Sequence, residues 1–299
     1  MRYRLRHRTT YSYERAVGFA RCVLRLTPRS SATQTVLESA ITVTPEPSAR
    51  LVRLGPFGAE ILTVTVDRPH TALVIEANSR IDVHVPPPGD PEASHPWDAI
   101  RGRALNTADL GPDGPASYLF PTPRTPIVPA ITDYARASFA PGRPIIAAAF
   151  ELTNRIYREF KYDPGATEVS TPVAQAFAAR HGVCQDFAQI MICGLRGLGL
   201  PVKYVSGYLR TIPPPGQPRL EGADATHAWV AVWCGDQAGW VGFDPTNAIL
   251  AGNDHLVLAI GRDYADVAPI DGVILASGDQ TLKVEVDVIP EGEPEPVPA

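Results

Sequence analysis

Residues 182–200 read GVCQDFAQIMICGLRGLGL, and the rest of the chain is best understood from this stretch. Phe187, Met191, Leu195 and Leu198 recur at three- and four-residue steps, with Ala188 and Ile192 beside them, which predicts an amphipathic helix. Gly199 and Pro201 supply stop signals. Cys184 therefore falls at or just inside the helix N-terminus, where unpaired backbone N–H groups and the helix dipole favour negative charge. A thiolate is the nucleophilic form of cysteine, and such a position is one way to favour it. A lone cysteine is more often a small buried apolar residue. The weight therefore rests on the residues downstream of Cys184. Cys193, on the opposite helical face, reads as core, and Asp186 as a cap for the helix start.

The 299 residues suffice for about two domains with a substantial core. An apolar fraction of 44% and a charged fraction of 20% are those of an ordinary soluble protein. A net charge of −5 argues against a nucleic-acid partner. Arg2, Arg4, Arg6 and Arg8 alternate along a predicted strand and share one solvated face. The four cysteines (Cys22, Cys184, Cys193, Cys234) form no CxxC pair, so neither a zinc site nor a redox motif is indicated. The first residues lack the apolar core of a signal peptide, and no apolar run is long enough to span a bilayer. A reduced, cytoplasmic setting without a membrane partner is expected.

Residues 1–85 are rich in Val, Ile, Thr and Tyr, broken by prolines and glycines, and predict an all-β domain, a sandwich. His7, His70 and His84 are isolated within it. Eleven prolines between Pro86 and Pro129 predict an extended linker, with Trp97 as its hydrophobic anchor. Residues 130–289 open with helical patterns at 130–138, 144–161 and 172–180 before the Cys184 helix. Strand patterns come next at 202–210, 226–234, 239–244, 255–260 and 280–289. A Pro/Gly loop at 212–222 is placed to shape access to a site. The acidic, proline-rich residues 290–299 predict a disordered tail.

A nucleophilic cysteine needs a base within reach, and the base needs a third group to orient it. His227 lies in DATHAWVAV at the start of a strand, and Asp244 in GWVGFDPTN at the end of the next. If the two strands pair antiparallel, the start of one adjoins the end of the other. His227 and Asp244 would then share one sheet edge, at which the Cys184 helix could point. Taken singly, His227 could be a satisfied half-buried histidine and Asp244 the start of an Asp-Pro turn.

GVCQDFA, THAWVAVW and GWVGFDPTN together resemble the core motifs of the transglutaminase-like superfamily, in its bacterial form with an N-terminal β-domain. VKYVSGYL, GRDYADVAPIDGV and YDPGATEVSTP fit the same pattern, so the resemblance covers nearly the whole chain. It implies an α+β fold with a papain-like core behind the β-domain. It also implies Cys184 as nucleophile, His227 as general base and acid, and Asp244 as the residue orienting the imidazole. Gln189 stands where relatives often carry histidine. Gln185, Tyr204 and Trp229 are candidates for the substrate cleft, the first two also for a second oxyanion donor.

The expected activity is attack on an amide or peptide bond through a thioester, with water as the simpler acceptor, hence a peptidase or amidase on a protein or peptide substrate. Transfer to a lysine amine, that is crosslinking, is the alternative. Acyl transfer to a small amine is disfavoured because Arg180-His181-Gly182-Val183 precedes the cysteine where arylamine acetyltransferases carry arginine-glycine-glycine. A non-catalytic binding module is the reading from another class. No cofactor or metal is expected, and with no EF-hand loop there is no basis for calcium activation.

Overall fold

The computed structural model describes residues 1–212, 219–222, 224–275 and 278–293. The N-terminal strands are β1 (Arg2–Val17), β2 (Ala20–Leu24), β3 (Gln34–Thr44), β4 (Ala49–Leu54), β5 (Glu60–Val66) and β6 (His70–Val83). Alternation in β1 turns Tyr3, Leu5, His7 and Thr9 inward, and the intervening arginines point to the other face. That face is laced with ion pairs, Arg2 to Asp82 at 3.2 Å and Arg6 to Asp287 at 3.0 Å. The exposed Arg2 pair is of the kind that adds little to stability.

The sandwich is not confined to the first 85 residues. Its two sheets run β15-β1-β6-β3 and β14-β2-β5-β4, and two of those strands, β14 (Ile270–Ile274) and β15 (Gln280–Pro290), come from the C-terminal end. The expected core domain of 130–289 therefore ends sooner, near α6 (Tyr264–Val267). Register runs from Tyr3 opposite Pro290 to Tyr13 opposite Gln280, and places Val286 and Val288 in the sandwich core. The tail predicted from 290 is likewise anchored at its start. The Glu291 N–H donates to the Arg2 carbonyl and Glu293 pairs with Arg210 at 2.6 Å; residues 294–299 lie outside the described residues.

The proline-rich stretch is not wholly extended. Residues 97–111 contain no proline, and α1 (Trp97–Leu105) forms there, entered from Pro96. The Trp97 indole donates to the Ala140 carbonyl at 2.8 Å and meets Phe139 edge-on, so it anchors the segment as expected. From a later helix, the buried Arg196 guanidinium donates to Tyr118 O, Thr125 Oγ1, Val202 O and Arg262 O at 2.7–3.0 Å. This one side chain ties the segment to the core, and its charge is matched by carbonyls.

Four helices, α2 (Pro129–Arg136), α3 (Ile145–Glu159), α4 (Val173–Ala179) and α5 (Cys184–Gly197), precede an antiparallel sheet. Two two-residue strands, β7 (Lys161–Tyr162) and β8 (His181–Gly182), pair in parallel just before α5. The sheet order is β12 (Ile249–Leu250), β11 (Trp240–Asp244), β10 (Ala225–Trp233), β9 (Val202–Leu209) and β13 (His255–Gly261). The expected amphipathic character of α5 is superseded: Gln185 to Arg196 are all buried, because the helix lies between the sheet and its neighbours. Its glycines serve that packing. A Cβ on Gly197 would come within 2.0 Å of Thr132 Oγ1, and one on Gly194 within 2.7 Å of Ala135 Cβ. Close approach of α2 thus outweighs the ~1 kcal/mol that each glycine costs in a helix.

β13 joins the two halves. Leu256 and Leu258, with Tyr208 of β9, lie in the sandwich core, whereas Ala259 lies in the helical core. At the bulge between Val257 and Ala259 the Gln34 amide bonds both ways to Val257, accepting its N–H at 2.8 Å and donating to its carbonyl at 2.7 Å. Of the 212–222 loop, residues 213–218 lie outside the described residues. Among the described residues no helix is long and apolar enough to cross a membrane.

Candidate active site

The route into Cys184 is fixed by local chemistry. Arg180 ends α4 in a left-handed conformation (φ 57°), a placement that costs a non-glycine residue of order 1 kcal/mol. Its guanidinium is held over the rings of Tyr134, Phe160 and Phe177 at 4.4–4.9 Å. Gly182 comes next, where a Cβ would lie 2.6 Å from Asp186 Oδ2. Without one, the Asp186 carboxylate folds back to accept the Val183 N–H at 2.9 Å and the Thr167 hydroxyl at 2.6 Å. Asp186 is thus the cap expected of it, and Cys184 becomes the first residue of α5. Its thiol is partly exposed, while Cys22, Cys193 and Cys234 are buried and all four are unpaired.

β10 and β11 form the expected antiparallel pair, with Val230 opposite Phe243, so His227 and Asp244 share one end of the sheet. His227 Nε2 lies 2.8 Å from Asp244 Oδ2, and Cys184 lines the same cleft close enough to the ring to influence its charge. The three predicted residues therefore meet at one end of the sheet, the sulfur beside the ring and the ring against the carboxylate. Burial alone would push the imidazole down. The bonds to Asp244 and Cys184 outweigh it and raise the ring to about 9.

Asp244 is fully buried. Its Oδ1 accepts the backbone N–H groups of Thr246 (2.9 Å) and Asn247 (3.2 Å); its Oδ2 accepts from His227 and from the Asn247 side chain (2.7 Å), and lies 3.2 Å from His255 Nε2. Burial alone would raise this carboxyl, but the two histidines and Asn247 hold it far below the usual carboxylate range. His255 and Asn247 are functional neighbours that the sequence reading missed. Asn247 had a signal, sitting in the Asp-Pro-Thr-Asn turn. His255 had none.

Trp229 does not line the cleft. It is buried beneath the site, stacked on His227 (centroids 6.0 Å apart, planes at 26°) and edge-on to His255 at 5.1 Å. It can lie there because Gly207, opposite His227 in β9, has no side chain; a Cβ would meet its ring at 2.6 Å. Gln185 is also turned away, donating to the Val169 carbonyl at 3.2 Å. Tyr204 is buried, close enough to Cys184 that the sulfur's charge adds to burial in raising its phenol. The cleft itself, about 360 Å³, is lined by Tyr162, Leu209, Thr211, Ala225, Thr226, Thr246 and Asn247 around Cys184 and His227. Among the described lining residues none carries a formal charge other than through the thiol and the imidazole.

One donor atom each from His227, Asp244 and His255 lies within 4.8 Å of the others, a spacing compatible with a small cation. They are not arranged as ligands, however. The Gly252 N–H donates to His255 Nδ1 at 3.2 Å, so the His255 proton sits on Nε2 and fills the gap to Asp244.

Residues 3–82 match the bacterial transglutaminase-like N-terminal region, and residues 132–245 match the transglutaminase-like superfamily. An uncharacterized protein of Mycobacterium tuberculosis (strain ATCC 25618 / H37Rv) is 41% identical over 98% of this chain and 94% of its own length. The chain belongs to the transglutaminase-like superfamily. Another uncharacterized relative, from Mycobacterium leprae, is 30% identical over 96% of the chain and 98% of its own length. A protein-glutamine gamma-glutamyltransferase of Pseudomonas aeruginosa is 31% identical over 39% of this chain and 18% of its own length. A solved structure from Cytophaga hutchinsonii, of a protein proposed to be a cysteine protease, superposes with a TM-score of 0.75 at 19% identity. It covers 99% of this chain and 93% of that one, so the two share one fold across the β-sandwich and the core.

Proposed function

We propose that this protein is a cysteine enzyme that cleaves or exchanges a carboxamide through a thioester on Cys184. The observation that carries the reading is the meeting of Cys184, His227 and Asp244 at the mouth of an uncharged cleft. The Cys184 sulfur attacks the amide carbon and forms the C–S bond. The resulting oxyanion is met by the Cys184 backbone N–H, which as the first of α5 has no intrahelical acceptor. As the C–N bond breaks, the ring nitrogen of His227 facing the sulfur gives its proton to the leaving amine. The same nitrogen then takes a proton from the incoming nucleophile, and the sulfur leaves. Base assistance of this kind is worth ~10²–10⁴-fold.

Water as acceptor makes the protein a peptidase or amidase on a protein or peptide, our first reading. Transfer to an amine is the second, favoured by the 31% identity shared with the Pseudomonas glutamyltransferase over 39% of this chain. A neutral lining suits an uncharged carboxamide in either case. The four unpaired cysteines suit a reducing, cytoplasmic setting.

A glutamine-containing peptide library incubated with and without a labelled primary amine, then analysed by mass spectrometry, separates the acceptors. Shortened or deamidated peptides are expected, with labelled peptides pointing to the amine. Cys184 is also expected to take iodoacetamide faster than Cys22 and Cys193, whose thiols burial pushes up to about 11 and about 12. Absence of products together with uniform cysteine reactivity would leave a binding module.

A further inference from the structure

Asp244 serves two rings. His255, the first residue of β13, reaches it from the strand that also enters the sandwich core. Its tautomer is set by its hydrogen bonds: Nδ1 accepts the Gly252 N–H at 3.2 Å, which leaves Nε2 to donate to Asp244 at 3.2 Å. A doubly protonated ring would set two N–H groups against each other at Nδ1. The titratable groups around it are Asp244 from β11 and His227 from β10, with Cys184 beyond them at the start of α5. Its neighbour Asp254 is occupied with Tyr3 at 2.9 Å and Arg210 at 3.4 Å.

Resting on the acyl-transfer reading above, we propose that His255 is a positioning residue: a neutral imidazole whose Nε2–H shares the Asp244 carboxylate with His227. The carboxylate oxygen that orients the catalytic ring is thereby divided between two donors. The His227 imidazolium is held in place without being bound so strongly that it fails to release its proton to the leaving amine. His255 also meets Trp229, which backs His227, so both contacts end on the catalytic ring.

Iodoacetate provides the test. As an anion it reacts best with Cys184 while His227 is positively charged, so the alkaline fall in rate reports the proton leaving that ring. His255→Phe keeps a flat ring against Trp229 and removes the donor. The alkaline limb should then move upward by about half a pH unit or more, less than the full worth of one hydrogen bond to a charged group. His255→Gln, which restores an N–H, should bring it back towards wild type. A limb that stays in place or moves down in His255→Phe overturns the proposal.

Should His255→Phe not fold, long-range ¹H–¹⁵N spectra of the wild-type protein decide the matter. His255 is expected with a bare Nδ1 and a protonated Nε2 at neutral pH, and a doubly protonated ring there defeats the idea. Failure of the underlying reading looks different: wild-type Cys184 would then show no alkaline fall at all.

Discussion

Two buried histidines lie in different sheets of the molecule. His7 sits in the sandwich core, where one ring nitrogen meets the Tyr208 hydroxyl at 2.8 Å and the other Thr9 at 3.0 Å. His227 sits on β10, one residue from the position paired with Tyr208, and meets Asp244. Both rings are almost out of solvent. Burial with hydroxyl partners drives His7 down to about 4, whereas burial beside a carboxylate and a sulfur leaves His227 up at about 9. The depth of burial is similar, so the difference belongs to Asp244 and Cys184. A fold becomes a candidate catalyst here by where it puts one carboxylate, not by how deeply it buries the imidazole.

The contrast breaks most completely if the carboxylate loses its charge. Asp244→Asn keeps the shape but removes the ion that holds His227 protonated. Turnover of any amide substrate identified by the peptide screen should fall by ~10²–10⁴-fold. The alkaline limb of iodoacetate labelling should collapse towards neutral pH in the same variant.

A second prediction uses opposite signs. The folded His227 is raised above its ordinary value, so the stability it contributes is complete below about 6.5 and is lost as pH climbs through about 9. The folded His7 is lowered, so its contribution is complete above about 6.5 and is lost as pH falls towards about 4, by up to about 3 kcal/mol. Urea titrations across pH should show the acid-side loss shrink in His7→Gln and the alkaline-side loss shrink in Asp244→Asn.

The smallest effect concerns the join between the two regions. Gln34→Ala leaves the Val257 N–H and carbonyl without their partner at the β13 bulge. A cost of about 1–3 kcal/mol is expected in thermal or urea unfolding. Because Val257 lies two residues from His255, iodoacetate labelling of Cys184 should also slow, by less than tenfold.

Much of this was legible in the sequence because the information is local. A glycine before a cysteine, a helical run after it and two strands ending in His and Asp suffice to bring together the sulfur, the ring and the acid. Asp186 as a cap and Trp97 as an anchor were readable for the same reason. His255 was not, since its approach to Asp244 depends on β13 adding to the far side of β9 and on the bare Gly207 between them. Trp229 was misplaced as a cleft wall because nothing in THAWVAVW says which face of β10 is covered. The return of β14 and β15 to the sandwich left no trace either. Pairing between residues 3 and 290 is a matter of tertiary register, and a strand's own sequence does not name its partner.

That last pairing has a consequence for how the protein is made. β1 is an inner strand, flanked by β6 on one side and β15 on the other, yet β15 leaves the ribosome after the other strands of both sandwich sheets. Until it arrives, the nascent sandwich presents β1 as an unpaired edge. A chain stopped short of residue 280 would carry that edge permanently, ready to pair with a second unfinished copy.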